Sequence, residues 1–263
     1  MTDIQEINEH LKQLRKIILR IAISVGVITM FLISFHAEPT QINGIQLYYP
    51  TPDPLNNIAA QIINYMKETL VPEDVQLIQT APGQAFFAQI YVAALTGIAL
   101  SMPIIIKESV GFIKPALKEK EIKISRNISL PALILFIVGC IFSYIFVIPY
   151  ILDFLYTYGE SAGLVTFLNV IDFVTFVLQF LLAFGISFQL PLVMYAVSRI
   201  GIVNSKFWRS NIRYAIVAIV IFGAVITPDG SGVTMWFIAG PMIALYLIGM
   251  AIIERSERKM SNI

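Results

Sequence analysis

Long runs of apolar residues set the pattern of this chain, and most polar residues lie in the segments between them. A transmembrane helix needs about 20 residues to cross a hydrocarbon layer about 30 Å thick, whereas barrel strands need only about 9–11 alternating residues. Because a backbone in lipid must satisfy its own hydrogen bonds, the pattern predicts an all-α integral membrane bundle of six transmembrane helices. The predicted spans cover residues 17–35, 86–106, 128–152, 170–197, 212–227 and 233–253.

Prolines within these runs predict that the bundle is kinked and cupped. Each removes a helix hydrogen bond and tends to kink the helix, although membrane helices also tolerate proline without a functional reason. They are Pro103, Pro131, Pro149, Pro191 and Pro241. The fifth span is short, because its apolar stretch from Tyr214 to Ile226 has 13 residues and spans about 20 Å. Either the bilayer thins beside it or flanking residues snorkel.

The predicted outer loop, residues 36–85, is long enough to carry structure of its own. Residues 41–49 alternate like a strand, and the turn signal Pro52-Asp53-Pro54 follows. From Leu55 to Leu70 apolar residues recur at helical spacing with polar residues between them, which predicts an amphipathic helix. That helix lies on the outer membrane surface or against the spans; packing on its own loop is an equally open alternative.

Composition and charge placement support a membrane protein and set its orientation. The chain is 57% hydrophobic and 13% charged, against roughly 45–50% and about 25% in soluble domains. Of its 18 Lys and Arg residues, 17 lie in the N-terminal segment, two alternate connections and the C-terminal segment; the other is Lys67 in the outer loop. By the positive-inside rule both termini are cytoplasmic, which an even number of spans also requires. Nothing in the charge pattern indicates a nucleic-acid partner.

Five motifs occur in a fixed order along the chain. They are EHLKQLRK at 9–16, FIKPALKEKE at 112–121, SY with a following proline at 143–149, AFGISFQLP at 183–191 and TPD at 227–229. With six spans and both termini inside, the ordered set resembles the TatC family, the polytopic subunit of the twin-arginine, or Sec-independent, protein translocase. The resemblance runs from about residue 8 to residue 253, and it implies a single TatC-like membrane domain over residues 1–263.

The resemblance implies a receptor and core subunit that exports folded proteins across the cytoplasmic membrane. Its expected partners are signal peptides with paired arginines, small single-span subunits of the TatA type, with or without a TatB type, membrane lipid, and further copies of itself in the receptor complex. It implies no enzymatic activity, no cofactor and no metal site.

The resemblance also implies a signal-peptide docking site on the cytoplasmic surface. Its residues are Glu9, Gln13, Leu14, Arg15, Phe112, Pro115, Leu117 and Glu121. Glu121 is the clearest carboxylate, and a carboxylate matches a guanidinium with charged hydrogen bonds worth roughly 1.5–3 kcal/mol each. By residue type alone Glu121 would be an ordinary solvated acid beside lysines; only the surrounding motif favours docking. In so basic a segment it needs local burial or a second acid, for which Glu9 and Glu119 are available.

Three positions depart from a pattern common in the family, where many members carry Glu. They are Gln13, Gln189 and Leu247. Docking would therefore rest on Glu121 with a hydrogen bond from Gln13, and no proton relay through position 247 is implied. Gln189 remains the most polar group deep in a span. It is expected either on the surface that contacts partner subunits or in a purely structural hydrogen bond between helices.

Pro54, Tyr144 and Asp229 match further positions that matter in the family. Each has an ordinary structural explanation that is equally open: a turn former, an interfacial anchor and a helix-capping acid, respectively.

Two other function classes fit the sequence less well. A secondary transporter of a small solute or ion is the main alternative, but it should show several ionisable groups at the bilayer midplane or paired broken helices, and no internal repeat is evident. An intramembrane enzyme would need a Ser/His dyad, paired aspartates or zinc ligands in the spans. The only histidines are His10 and His36, and no P-loop, HExxH or GxSxG motif is present.

Overall fold

The computed structural model describes residues 2–42, 45–72, 75–113, 119–163, 166–199, 201, 203–227 and 232–261. Within them five helices are long and apolar enough to cross a membrane, and a sixth apolar helix is shorter. The five are Leu11–Ser34, Gln84–Glu108, Leu130–Ser161, Val170–Arg199 and Val233–Arg258, and the shorter one is Ile212–Ile226. The all-α class is confirmed, with five helices of spanning length and a shorter apolar helix at the position of the predicted short fifth span.

The described residues form mainly α-helices, together with four short strands. The helices are α1 Thr2–Ser34, α2 Ile58–Leu70, α3 Gln84–Ile113, α4 Glu119–Phe142, α5 Ile148–Ser161, α6 Val170–Ser187, α7 Leu190–Arg199, α8 Ser205–Ser210, α9 Ile212–Ile226 and α10 Val233–Ser261. A π-helical turn, Ser143–Val147, joins α4 to α5. The strands are β1 Phe35–Ile42, β2 Ile45–Pro52, β3 Gln76–Ile78 and β4 Phe167–Asn169.

The chain divides into two compact units. The first comprises Met1–Phe112 and Leu155–Leu178, and the second comprises Ile113–Phe154 and Gln179–Ile263. The single membrane domain over residues 1–263 stays a prediction.

The predicted outer loop in the first unit is more ordered than its sequence pattern indicates. Instead of one strand at 41–49, β1 and β2 form an antiparallel hairpin in register from Phe35 opposite Pro52 to Ile42 opposite Ile45. The missed signal is Asn43-Gly44, a pair favoured in two-residue hairpin turns. Strands β3 and β4 pair in parallel, Gln76–Ile78 against Phe167–Asn169.

Helix α2 is the predicted amphipathic helix, but it begins at Ile58, after the Asn57 cap. The fully buried Asn57 caps it: its Oδ1 accepts from the Ala60 N–H, and its Nδ2 donates to the Pro54 carbonyl and to Gln89 Oε1, each at 2.9 Å. Leu55, which the pattern included, precedes the helix and is 89% exposed. Helix α2 contacts both α1 and β1, so it packs against a span and against its own loop.

Only two of the five prolines in the spans lie beside interruptions. Pro149 follows the π-helical turn, and Pro191 is in the first turn of α7, just after the break that separates α7 from α6. Pro103, Pro131 and Pro241 lie inside helices that continue past them. A missing hydrogen bond is thus accommodated within three of these helices.

Candidate functional site

The 9–16 motif lies on helix α1, which is continuous from Thr2 through the first span. Leu11 to Lys16 are all exposed, including Gln13, Leu14 and Arg15. No described residue forms a hydrogen bond or an ion pair with Gln13 or Arg15. This end of the span therefore exposes both apolar and cationic side chains among the described residues.

The 112–121 motif is divided between the end of α3 and the start of α4. Phe112 is the penultimate residue of α3, and Glu121 is in the first turn of α4; neither side chain is among those described. The side chain of Glu9 on α1 is likewise outside the description. Pro115, Leu117 and Asp229 lie outside the described residues altogether, so their assignments stay predictions.

An ion pair that the motifs do not indicate joins α1 to α3. Arg20 Nη1 lies 3.1 Å from Glu108 Oε1 and 3.2 Å from Oε2. The arginine side chain is 64% exposed, but that of Glu108 is only 17% exposed. Sequence reasoning missed Glu108 because its partner is 88 residues away. Its position at the end of an apolar run, one turn before Phe112, was the available signal.

Close packing of small residues continues from this ion pair along α1 and α3. Ser24 Oγ and Ser101 Oγ are 3.1 Å apart, and Thr29 Oγ1 donates to the Ala93 carbonyl at 3.5 Å. A Cβ at Gly97 would lie 2.6 Å from Thr29 Oγ1. Small residues let helix backbones approach closely in membranes, so this seam fixes the position of α1 on α3.

Gln189 makes a structural hydrogen bond between helices in the second unit. Its Nε2 donates to the Ala132 carbonyl at 3.0 Å and is 3.4 Å from the Gly185 carbonyl. No described residue donates to its Oε1. The amide nitrogen thus bonds to another helix, while the amide oxygen has no donor among the described residues.

The other positions singled out with Gln189 lie in different segments of the chain. Tyr144 is half-buried in the π-helical turn, and Leu247 is exposed on α10. Pro54 is exposed and its carbonyl accepts from Asn57, as expected for a turn residue before a capped helix.

Two further acids hold the short helix α8 against α10. Glu257 accepts hydrogen bonds from the Ser205 N–H at 2.9 Å and from its hydroxyl. Arg209 Nη2 lies 3.1 Å from Glu254 Oε1, with side chains 70% and 25% exposed. The side chains of this ion pair are nearly as exposed as those of Arg20 and Glu108, and both of its residues belong to the second unit.

A family model, protein sequences and solved structures that resemble this chain all belong to the same protein family. A sequence model of the family Sec-independent protein translocase protein (TatC) matches residues 9–241. The TatC protein of Cenarchaeum symbiosum is 63% identical over 254 residues, covering 97% of this chain and 96% of that protein. The chloroplastic TATC of Pisum sativum is 32% identical over 197 residues, 75% of this chain and 56% of that protein. A crystal structure of the twin-arginine translocase receptor TatC matches with a TM-score of 0.77 and 25% identity, covering 94% of this chain and 99% of that one.

Proposed function

The chain belongs to the TatC family of Sec-independent protein translocase proteins, and on that premise we propose that it docks signal peptides with paired arginines on its basic side and recruits single-span subunits. It is a multi-pass membrane component of a protein translocase, a receptor rather than an enzyme. The basic side is the cytoplasmic side under this proposal, because it holds 17 of the 18 cationic residues.

The exposed surface at the start of α1 is the observation that carries the docking proposal. A signal peptide offers guanidinium groups and an apolar stretch, so its receptor needs carboxylates and exposed apolar side chains. Leu11 and Leu14 are exposed on α1, and Glu121 supplies a carboxylate within the 112–121 motif. Phe112, Pro115, Leu117, Gln13, Arg15 and Glu9 complete the proposed site.

Binding of synthetic peptides to the full chain in lipid nanodiscs tests this proposal. A peptide with paired arginines before an apolar stretch should bind at least roughly tenfold more tightly than its paired-lysine counterpart, because lysine lacks the planar fork that matches a carboxylate. Equal binding of the two peptides would contradict the proposal. Uptake of a small solute by liposomes that contain the chain alone would instead favour the transporter alternative.

We propose that single-span partners, of the TatA type and, where present, the TatB type, contact the second unit at Gln189. Gln189 Oε1, which receives no hydrogen bond from a described residue, supports this, because a polar group within a span is matched by a partner in the protein. Tyr144 and Asp229 are assigned to the same partner surface by their place in the family motifs, and Pro54 to the outer turn. Self-association in the receptor complex and contact with membrane lipid are part of the same proposal.

Replacing Gln189 tests the partner contact. Gln189→Leu should reduce co-purification of a co-expressed TatA-type subunit by roughly fivefold or more, the value of one hydrogen bond in a membrane. Gln189→Glu keeps an acceptor oxygen and should retain the partner. Ser187→Ala is a matched control, because within the described part of the chain the Ser187 hydroxyl donates to the Ala183 carbonyl of its own helix, at 2.5 Å, and to no other helix. Undiminished recovery of the partner with a folded Gln189→Leu variant would contradict the assignment.

A further inference from the structure

The two motif segments of the proposed docking site, 9–16 and 112–121, contain more cationic than acidic residues, although the site has to receive two guanidinium groups. The 107–126 segment contains six cationic residues, and position 13 is a neutral glutamine. Each incoming arginine must therefore find a carboxylate that outweighs nearby like charges. A carboxylate that is largely shielded from water interacts more strongly with a cation than a fully exposed one does. A partly buried acid in the first unit would therefore bind an incoming arginine best.

Glu108 has that burial and already receives an arginine. One terminal nitrogen of Arg20 reaches both of its oxygens at 3.1 and 3.2 Å, which demonstrates that a guanidinium can approach the carboxylate from the exposed side. A carboxylate offers about four lone-pair sites, and one nitrogen donor leaves capacity unused. The unused lone pairs therefore let an incoming arginine contact the acid before Arg20 leaves, so that one guanidinium can be exchanged for another.

Arg20 is the replaceable member of the pair. Its side chain is 64% exposed, against 17% for Glu108, and an ion pair with such an exposed partner contributes little to stability. The helices do not depend on it, because the Ser24–Ser101 contact and the close approach at Gly97 fix α1 on α3 independently. Displacement of Arg20 would leave the carboxylate where it is.

We propose that Glu108 is a second carboxylate of the signal-peptide site and that Arg20 occupies it as a tethered internal arginine until a peptide arginine replaces it. This inference rests on the proposed docking function. The exchange of one guanidinium for another leaves the Glu108 carboxylate paired at both stages. The displaced Arg20 remains on α1 as a nearby like charge. Arg20 thereby makes the site selective, since a weaker cation does not displace it.

Opposite effects of the two partner residues distinguish this role from a structural ion pair. Glu108→Gln should weaken binding of the paired-arginine peptide by roughly tenfold or more, because one charged hydrogen-bonding partner is lost. Arg20→Gln should tighten binding by roughly two- to fivefold, because the internal competitor and its like charge are removed. A merely structural pair would make both variants weaken binding or leave it unchanged.

The Arg209–Glu254 pair provides a matched control of the same length and similar exposure. Arg209→Gln and Glu254→Gln should leave peptide affinity within twofold of the unmodified chain, measured by fluorescence anisotropy in nanodiscs with thermal unfolding as a fold check. If the Arg20 and Glu108 variants changed peptide affinity in the same direction, or if the control variants changed it equally, the proposal for Glu108 would be overturned. The docking function would not be affected by that result. Failure of the unmodified chain to prefer the paired-arginine peptide would overturn the docking function and this inference with it.

Discussion

Replacing Glu121 with alanine should abolish binding of a paired-arginine signal peptide while the chain remains folded. A carboxylate that receives two charged hydrogen bonds contributes about 3–6 kcal/mol to binding, which corresponds to a loss of roughly two to four orders of magnitude in affinity. Without the acid, the cationic residues of the same segment repel the peptide arginines, and the Glu121 carboxylate no longer offsets that repulsion. The expected result is that titration with the peptide gives no saturable signal at micromolar concentrations.

The fold should withstand this change. Glu121 lies in the first turn of α4, where an acid stabilises a helix through the macrodipole by only about 0.3–1 kcal/mol. Circular dichroism and thermal unfolding should therefore be close to those of the unmodified chain.

Three comparison variants separate the charge of Glu121 from its neighbourhood. Glu121→Gln keeps the size of the side chain and should lose binding almost as completely as alanine. Glu119→Ala removes an acid two residues earlier and should have a smaller effect. Glu160→Ala, an exposed acid on α5, should have none. Binding at unmodified strength in the Glu121→Ala variant would refute the site assignment and leave the six-helix fold untouched.

The hydrophobic pattern was sufficient for the spans because each is dictated by the local solvent. A run of about 20 apolar residues has one stable backbone form in lipid, so Gln84–Glu108 and Val233–Arg258 follow from the sequence without knowledge of any contact. The exact start of α2 does not, because it depends on the Asn57 side chain bonding Ala60 and, from a distant segment, Gln89. A local pattern that counts apolar residues alone begins that helix too early, at Leu55.

The sequence motifs assign residues to the candidate site, and this assignment stays a prediction; they do not indicate the tertiary pairs that the structure contains. Exposure of Leu14 and Arg15 follows from their place before an apolar run. The pairing of Glu108 with Arg20, and of Glu257 with Ser205 across 52 residues, depends on which helices lie side by side. Charge spacing along one segment carries no information about such partners, so these acids look like ordinary residues at the ends of spans.

Gly139 on α4 is the position where a single added side chain should most damage the fold. A Cβ there would lie 2.5 Å from the carbonyl oxygen of Phe184 and 3.0 Å from Cγ of Phe188. The closer obstacle is backbone on α6, which cannot rotate away as a side chain can. Overpacking costs typically 1–3 kcal/mol and more where nothing can yield, so Gly139→Leu should prevent accumulation of folded protein.

Graded substitutions at this position and at Gly240 provide the measurement. Gly139→Ala should lower the free energy of unfolding in detergent by about 1–3 kcal/mol, although alanine favours helix by about 1 kcal/mol. At Gly240 on α10 no atom would lie within 4 Å of an added Cβ, so Gly240→Ala should be neutral or slightly stabilising. Removing the aromatic ring with Phe188→Ala should not rescue Gly139→Ala, because the carbonyl of Phe184 is the obstacle. If the double variant were rescued, the Phe188 side chain would be the obstacle. That result would contradict the prediction that the backbone of α6 limits the approach of α4 at Gly139.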